Sequence, residues 1–551
     1  MLLLKAENSK LKTVRVTVCM FDVAVIGAGI NGAGIARDAA MRGLSVLLLD
    51  KGDVGGGTTG WSTRLVHGGL RYLEHGEMGL VRESLREREH LLKIAPHLVK
   101  PLPMLIPIYE RARRGLLTIR AGMLAYDLLS FDKTLSHHKM LSRAETLVRA
   151  SGLSSEGLRG AALYYDAQVE YPERLTLENA LSANEHGAKV LTYARVDRLE
   201  VEAGRVRAVE YTDLLKGTKH SAQAHVFINV AGPWVDVVLA GTDGASRQRL
   251  IGGTKGSHIV TSRFSGAPLY ALYVEAEEDG RPFFIIPWND LYLIGTTDIR
   301  FEGDLDAVEA DEVEIDYLLR ETNRVIPQAG LTRASVLYTY SGVRPLPFRE
   351  DETKNAGITR RHFVHDHAPG LENLLSIVGG KITTYRNLSE QTVNLIFKKL
   401  RRPPAPSRTA HTPLPGASTS DFASFAASFR RERRVPERVQ EHLLRVYGTR
   451  AVEVLEMAAE HPELSESLDE ATGAIRAEVL FSFRRELAAT LTDCLLRRTM
   501  TGIGAGAGLG AIEIAASVAQ QYLGWDEARA QREVTAYRDY LKHLHGAAAR
   551  A

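Results

Sequence analysis

The chain has 551 residues, too many for one hydrophobic core, so two or three domains are expected. Its 69 basic and 67 acidic residues leave a net charge of +2, which excludes a global field aimed at nucleic acid. The two cysteines, Cys19 and Cys494, exclude a disulfide framework, a four-cysteine zinc site and a cysteine-ligated iron–sulfur cluster, and suit a reducing cytoplasm. Residues 1–19 read as an extension whose apolar part is too short for a signal peptide. No apolar run approaches the roughly 20 residues of a membrane-spanning helix.

Phe21 to Asp50, FDVAVIGAGINGAGIARDAAMRGLSVLLLD, is the stretch that organises the rest. Val23 to Ile26 reads as a buried parallel strand. Gly27, Gly29 and Gly32 follow as G-x-G-x-x-G. Ile35, Ala36, Ala39 and Ala40 recur at helical spacing, and Leu44 to Leu49 form a second strand closed by Asp50. Each part of this βαβ fingerprint has a mechanical reason: Gly27 turns tightly, Gly29 admits a pyrophosphate to the backbone, and Gly32 lets helix and strand pack closely. The phosphates sit at the positive end of the helix, and Asp50 is placed to accept from a ribose diol. FAD and NAD both fit the fingerprint.

Gly55 to Gly57 with Thr58 and Thr59 make a hydroxyl-bearing loop for phosphate, and Ser62 to Gly69 continues it. Met78 to Leu98 reads as an exposed amphipathic helix, with RESLREREH as its solvated face. Leu105 to Leu129 is apolar with interspersed Arg111, Arg113, Arg114 and Arg120. That pattern fits either a membrane-interface segment or a strand and helix packed on a substrate domain.

Residues 21–390 closely resemble the FAD-dependent glycerol-3-phosphate dehydrogenase family, a group of membrane-associated respiratory enzymes. The fingerprint and TRLVHGGLRYLE carry the likeness, followed in order by KGSH (255–258), IPW (286–288), IGTTD (294–298), YSGVRPL (340–346), ITR (358–360) and GGKITTYR (379–386). The resemblance implies FAD as cofactor, with contacts at Asp22, Gly27, Gly29, Ile30, Asn31, Gly32 and Asp50. Further contacts are implied at Thr58, Thr59, Ser62, Thr63, His67 and Gly68, then at Val196, Gly232, Gly379, Gly380, Lys381, Ile382 and Thr383. It implies oxidation of sn-glycerol 3-phosphate to dihydroxyacetone phosphate, with hydride passing to flavin N5 and electrons to a membrane quinone. An oxidase handing electrons to dioxygen, or a flavin oxidoreductase for another hydroxy or amine substrate, stands as the alternative. A peripheral position on the inner face of the cell membrane and a homodimer are also implied.

A phosphorylated substrate carries about −1.5 to −2 charge and calls for arginine or lysine. The motifs supply Arg71, Arg344 and Lys381 on three segments, and the resemblance makes these substrate-site residues. Arg71, Lys381 and Tyr72 are expected to hold substrate, Arg344 to stabilise the developing alkoxide, and Thr296 or Thr297 to add a hydroxyl contact. His258 and His67 are both candidate bases, because neutral imidazole accepts a proton near pH 7; His258 is preferred. His362, His365, Asp366 and His367 are clustered in sequence but alternate along a hairpin-like strand, so no metal is expected.

The expected fold is α/β: a discontinuous Rossmann-type FAD domain with an inserted α+β substrate domain and a helical C-terminal domain. The FAD domain takes residues 20–95, 160–250 and 341–400; the substrate domain takes 96–159 and 251–340. RRPPAPSRTAHTPLPGASTS, 401–420, reads as a linker, and residues 421–551 as helical, with RRERRVPER (430–438) a solvated face.

Overall fold

The computed structural model describes residues 20–74, 76–110, 112–245, 248–349 and 361–545. The extension 1–19, the ITR motif and the Arg71 side chain lie outside the described residues.

The fingerprint forms the strand Met20–Ile26, the helix Ile30–Met41 and the strand Val46–Leu49. Met20–Ile26 runs parallel to both Val46–Leu49 and Thr218–Asn229, and the latter runs parallel to Leu374–Val378. Lys189–Leu191 extends the sheet beyond Val46–Leu49. Both faces of this sheet are covered, which explains its unbroken apolar runs. On one face Ala33, Ala36 and Ala40 of the first helix pack against Val23, Val25 and Ile228, together with Leu388, Val393 and Ile396 of the helix Tyr385–Leu400. Small side chains let these layers approach closely. The other face is covered by the hairpin of Ala194–Glu202 and Arg205–Asp213, turned at Gly204.

The second sheet is mixed, with ten strands among the described residues. Val99–Tyr109 pairs antiparallel with Leu158–Val169 and parallel with Ala271–Glu275. Thr254–Thr261 lies between Leu291–Gly295 and Val336–Arg344, antiparallel to both. The substrate sheet therefore takes more chain than the sequence boundaries gave it. Leu158–Val169, Leu65–Val66 and the last residues of Val336–Arg344 belong to it rather than to the dinucleotide sheet. Their apolar runs are equally compatible with either sheet, and pairing partners decide.

Two further expectations are corrected. The charges of RESLREREH are not a solvated face: in the helix Met78–Ile94, Glu87, Arg88 and Glu89 are buried. Arg88 pairs with Asp166 at 2.7 Å, and Glu87 takes both Nε and Nη2 of Arg386 at 2.7 Å. Pairing is what permits the burial. The segment 401–420 is not a free linker throughout. Leu414 to Ala417 are buried, with Leu414 N donating to Ile94 O and Gly416 N to Glu178. The C-terminal region is mostly helical, apart from a small hairpin of Ser467–Asp469 and Ala474–Ile475. Arg430 to Arg434 are exposed, as expected of RRERRVPER.

Leu105 to Leu129 divides into the buried strand Val99–Tyr109 and the helix Leu116–Leu129. Met123 and Tyr126 of the helix face inward, while Leu117, Leu124 and Leu128 face out.

Candidate functional site

The ends of three parallel strands converge on the glycine turn. Gly27 N donates to Leu49 O at 2.7 Å, and Ala28 N and Gly52 N donate to the two carboxylate oxygens of Asp50 at 2.6 and 2.8 Å. Asp50 thus clasps the turn from both sides while each oxygen keeps a lone pair. Burial raises its pKa. Gly27 has φ +111°, and a Cβ there would lie 2.7 Å from Val230 O. A Cβ on Gly32 would overlap Gly27 O, so this glycine serves packing, as its position in the fingerprint requires. A Cβ on Gly29 would meet nothing nearer than Thr59 Oγ1 at 3.4 Å: the room beside it is open cavity. Gly29 is the N-cap of Ile30–Met41 and has no side chain to cap it; Thr59 Oγ1 accepts from Ile30 N at 3.1 Å, and the N–H groups that follow are left for an anion.

A cavity of about 1290 Å³ opens here, lined by Gly27, Gly29, Ile30, Asn31, Asp50, Thr58, Thr59, Ser62 and Thr63. It continues past Val196, Gly232, Gly379, Gly380, Ile382 and Thr383 to His67, Tyr72, His258, Arg344 and Lys381. The volume exceeds the roughly 300–1,000 Å³ of a site for one small ligand, leaving room for a dinucleotide and a substrate together. The glycine cradle, the helix N-terminus at Gly29 and this volume fit FAD.

Asp22 and Gly68, expected at the cofactor, stand elsewhere. Asp22 lies at the opposite end of its strand, where its carboxylate accepts from Ser45 N at 2.9 Å and pairs with Arg402 at 2.8 Å. Gly68 is buried under Tyr126, whose hydroxyl accepts from Gly68 N at 2.9 Å. Thr63 does line the cavity, with its hydroxyl 3.0 Å from His258 Nε2. These corrections share a cause: sequence neighbours in a loop or strand do not share a direction.

The substrate-side residues come together. The Lys381 ammonium lies over the Tyr72 ring at 3.7 Å from the centroid. Arg344 ends Val336–Arg344 and donates to Thr296 Oγ1 and Thr297 O, both at 3.2 Å, and to Asp298 Oδ1 at 3.1 Å. Thr296 reaches the site through Arg344 and is not on the cavity wall. His258, on the neighbouring strand, is buried and tilted against Tyr340 at 4.8 Å between centroids. Burial, then Arg344 and Arg64, push its imidazole well below the usual 6.5, so it is neutral at pH 7. His258 Nδ1 is shut off from solvent and has no hydrogen-bond partner. His67 also lines the cavity, its backbone N–H donating to Thr383 Oγ1 at 3.2 Å.

Sequence reasoning missed Asp298 as the anchor of Arg344, and Gly256, where a Cβ would overlap the Arg344 guanidinium. Both lie inside the quoted motifs; the signal is the alternation of Thr254–Thr261, which puts Gly256 and His258 on one face. Lys255 and Ser257 point the other way, to Glu314 at 2.8 Å each.

Fold and cavity together define a dinucleotide-binding α/β protein with arginine and lysine on the cavity wall. The family model described as FAD dependent oxidoreductase matches residues 22–386, and the one described as C-terminal domain of alpha-glycerophosphate oxidase matches residues 407–530. The chain belongs to the FAD dependent oxidoreductases, and its cofactor is FAD. It is 47% identical over 536 residues to a glycerol-3-phosphate dehydrogenase of Synechocystis, covering 95% of this chain and 96% of that one. It is 38% identical to D-erythritol 1-phosphate dehydrogenase of Brucella abortus, covering 87% and 94%. Among solved structures, the glycerol-3-phosphate dehydrogenase of Bacillus halodurans complexed with FAD superposes with a TM-score of 0.75 at 28% identity, covering 95% of each chain.

Proposed function

We propose that this chain oxidises sn-glycerol 3-phosphate to dihydroxyacetone phosphate and passes the electrons to a membrane quinone. The observation that carries the reading is the convergence of Arg344, the Lys381–Tyr72 pair and neutral His258 on one cavity beside the glycine cradle. The 47% identity to a glycerol-3-phosphate dehydrogenase along nearly the whole chain supports the substrate.

When bound, FAD supplies the hydride acceptor. The protein's part is placement and proton transfer. Arg71 and Lys381 hold the substrate phosphate, with Tyr72 beneath the ammonium. Arg344, held by Thr296, Thr297 and Asp298, steadies the negative charge that develops on the carbinol oxygen. His258 takes the hydroxyl proton. Its Nδ1 is sealed, so the proton enters at Nε2, where the Thr63 hydroxyl sits.

The quinone and membrane parts rest on the helix Leu116–Leu129. Leu117, Leu124, Leu128 and nearby Phe131 are exposed along one side, with Arg113 and Arg120 also exposed. An apolar face edged with cations suits shallow contact with the inner face of the cell membrane. Among the described residues no helix is long and apolar enough to cross a membrane.

Anaerobic mixing of the yellow holoprotein with sn-glycerol 3-phosphate tests the reaction. Rapid loss of flavin absorbance is expected, absent with glycerol and lost in Arg344→Ala; no bleaching overturns the substrate. Re-oxidation by a quinone analogue much faster than by dioxygen is expected, and the reverse order makes the protein an oxidase. D-erythritol 1-phosphate is a second substrate to compare, given the 38% identity to the dehydrogenase for it.

A further inference from the structure

The segment that follows Asp50 is gripped from the far end of the chain. Arg498 donates through both terminal nitrogens to the Asp53 carboxylate at 2.7 and 2.8 Å, and Arg497 adds Nε at 2.6 Å. Arg497 also donates to Asp493 at 2.8 Å, and Asp493 accepts from Tyr193 OH at 2.6 Å. All of these groups except Tyr193, which is partly exposed, are buried. Burial alone would raise the Asp53 carboxyl, but Arg498 and Arg497 outweigh it and hold it at about 2. A buried charge cluster of this kind is tolerable only while every member is paired. Docking of the C-terminal domain is therefore bound up with the conformation of the loop that follows Asp50, through Asp53.

A second observation is independent of that clamp. The FAD cavity does not end at the two sheets: the helix Glu527–His545 supplies part of its wall. Arg532, Ala536 and Tyr540 recur every four residues and so share one helical face toward the cavity, whereas Val534, Tyr537 and Leu541 are buried in the C-terminal core. The arginines Arg64, Arg195, Arg344 and Arg497 on the same wall each pair with a carboxylate. Arg532 is exposed and makes no hydrogen bond or salt bridge among the described residues. Its charge is felt by the neighbouring Glu533 carboxylate on the same wall, but with no hydrogen bond to hold it the guanidinium is placed to attract the pyrophosphate of a dinucleotide.

We propose that the C-terminal domain is a working part of the cofactor site. It fixes the 51–62 loop through Asp53, and its last helix closes the cavity with Arg532 as an electrostatic hold on the diphosphate half of FAD. The inference needs only the cofactor, so it stands or falls apart from the choice of substrate.

The test is release of FAD from the full-length holoprotein after dilution, read as recovery of free flavin fluorescence. Arg532 is exposed, so its variants are expected to fold, and near-native circular dichroism before dilution checks this. Arg532→Ala is expected to speed release about tenfold and Arg532→Glu more, with Arg532→Lys within threefold of the parent. The differences are expected to shrink toward unity at about 1 M salt, where the screening length is about 3 Å. Release within twofold of the parent in both Arg532→Ala and Arg532→Glu overturns the proposal. So does an equal loss in Arg532→Ala and Arg532→Lys, because charge would then play no part.

Discussion

The Lys381 ammonium sits 3.7 Å from the centroid of the Tyr72 ring, joining two segments more than 300 residues apart on the substrate side of the flavin cavity. Lys381 belongs to the turn between Leu374–Val378 and Tyr385–Leu400, and Tyr72 to the short helix Arg71–Glu74. The aromatic face is a favourable partner for a lysine ammonium in a partly dry cavity.

Replacing the charge and replacing the ring should therefore separate. A charged group buried against a phosphate is worth about 2–5 kcal/mol, so Lys381→Met is expected to lower kcat/KM by about 10²- to 10³-fold. Tyr72→Leu removes a cation–π contact of about 0.5–2 kcal/mol and is expected to cost roughly 3- to 20-fold. Tyr72→Phe keeps the ring face. Steady-state kinetics with sn-glycerol 3-phosphate check the series; a Tyr72→Phe loss as large as that of Tyr72→Leu would move the role from ring to hydroxyl.

Gly256 lies on the buried strand Thr254–Thr261, where a Cβ would overlap Arg344 Nη2 and crowd Thr296 Oγ1 at 2.6 Å. Its φ is not positive, so alanine there is a purely steric probe. Gly256→Ala is expected to keep its flavin and to lose about 10²-fold in kcat/KM by displacing the guanidinium. Combined with Arg344→Ala it should add little, since both changes remove one interaction. Full additivity of the two losses would mean that the glycine serves something else.

His258 carries a pH signature. Its imidazole titrates well below 6.5 because of burial and the cations Arg344 and Arg64. At saturating substrate, kcat is expected to show no inflection at 6.5, with the acid limb displaced to lower pH. The sign for stability follows from the depressed value: the folded state binds fewer protons than the unfolded one. Its contribution is complete above 6.5 and is lost as pH falls from there toward the folded pKa. His258→Gln should flatten that part of the unfolding free energy against pH and reduce kcat by about 10²- to 10⁴-fold. An unchanged kcat in this variant returns the base to His67.

The fingerprint was readable because each residue's job is local: Gly27, Gly32 and Asp50 act within one βαβ unit, and the structure places them as their spacing requires. The substrate residues were readable only as a set carried by motifs, since nothing in the chain between Tyr72 and Lys381 announces that they meet. Directions were the first loss. Asp22 points away from the cavity, and Thr63 turns its hydroxyl to His258, because a strand or loop alternates faces in ways that pairing decides. Buried charge was the second. RESLREREH has the composition of a wet surface, and its partners Asp166 and Arg386 lie far along the chain. The third was the C-terminal domain, whose Arg498 meets Asp53 across 445 residues, a contact with no local trace.

The exposed face of Leu116–Leu129 makes the last prediction. Leu117 is 80% exposed, Leu128 75%, Leu124 58% and Phe131 75%, a concentration of apolar surface that costs solubility unless something covers it. Seating a leucine in the lipid interface returns about 1.5–3 kcal/mol, so Leu117→Glu with Leu124→Glu is expected to weaken binding to anionic vesicles by at least about 100-fold. Arg120→Glu should weaken it further at low salt and little at high salt, because its attraction to head groups is screened. Anaerobic bleaching by sn-glycerol 3-phosphate should be unaffected, since this face is not among the cavity-lining residues. Vesicle co-sedimentation of the holoprotein checks it. If the double variant sediments with vesicles as the parent does, the helix is not the membrane face. If instead the parent stays in the supernatant at all lipid compositions, the electrons leave to a soluble acceptor.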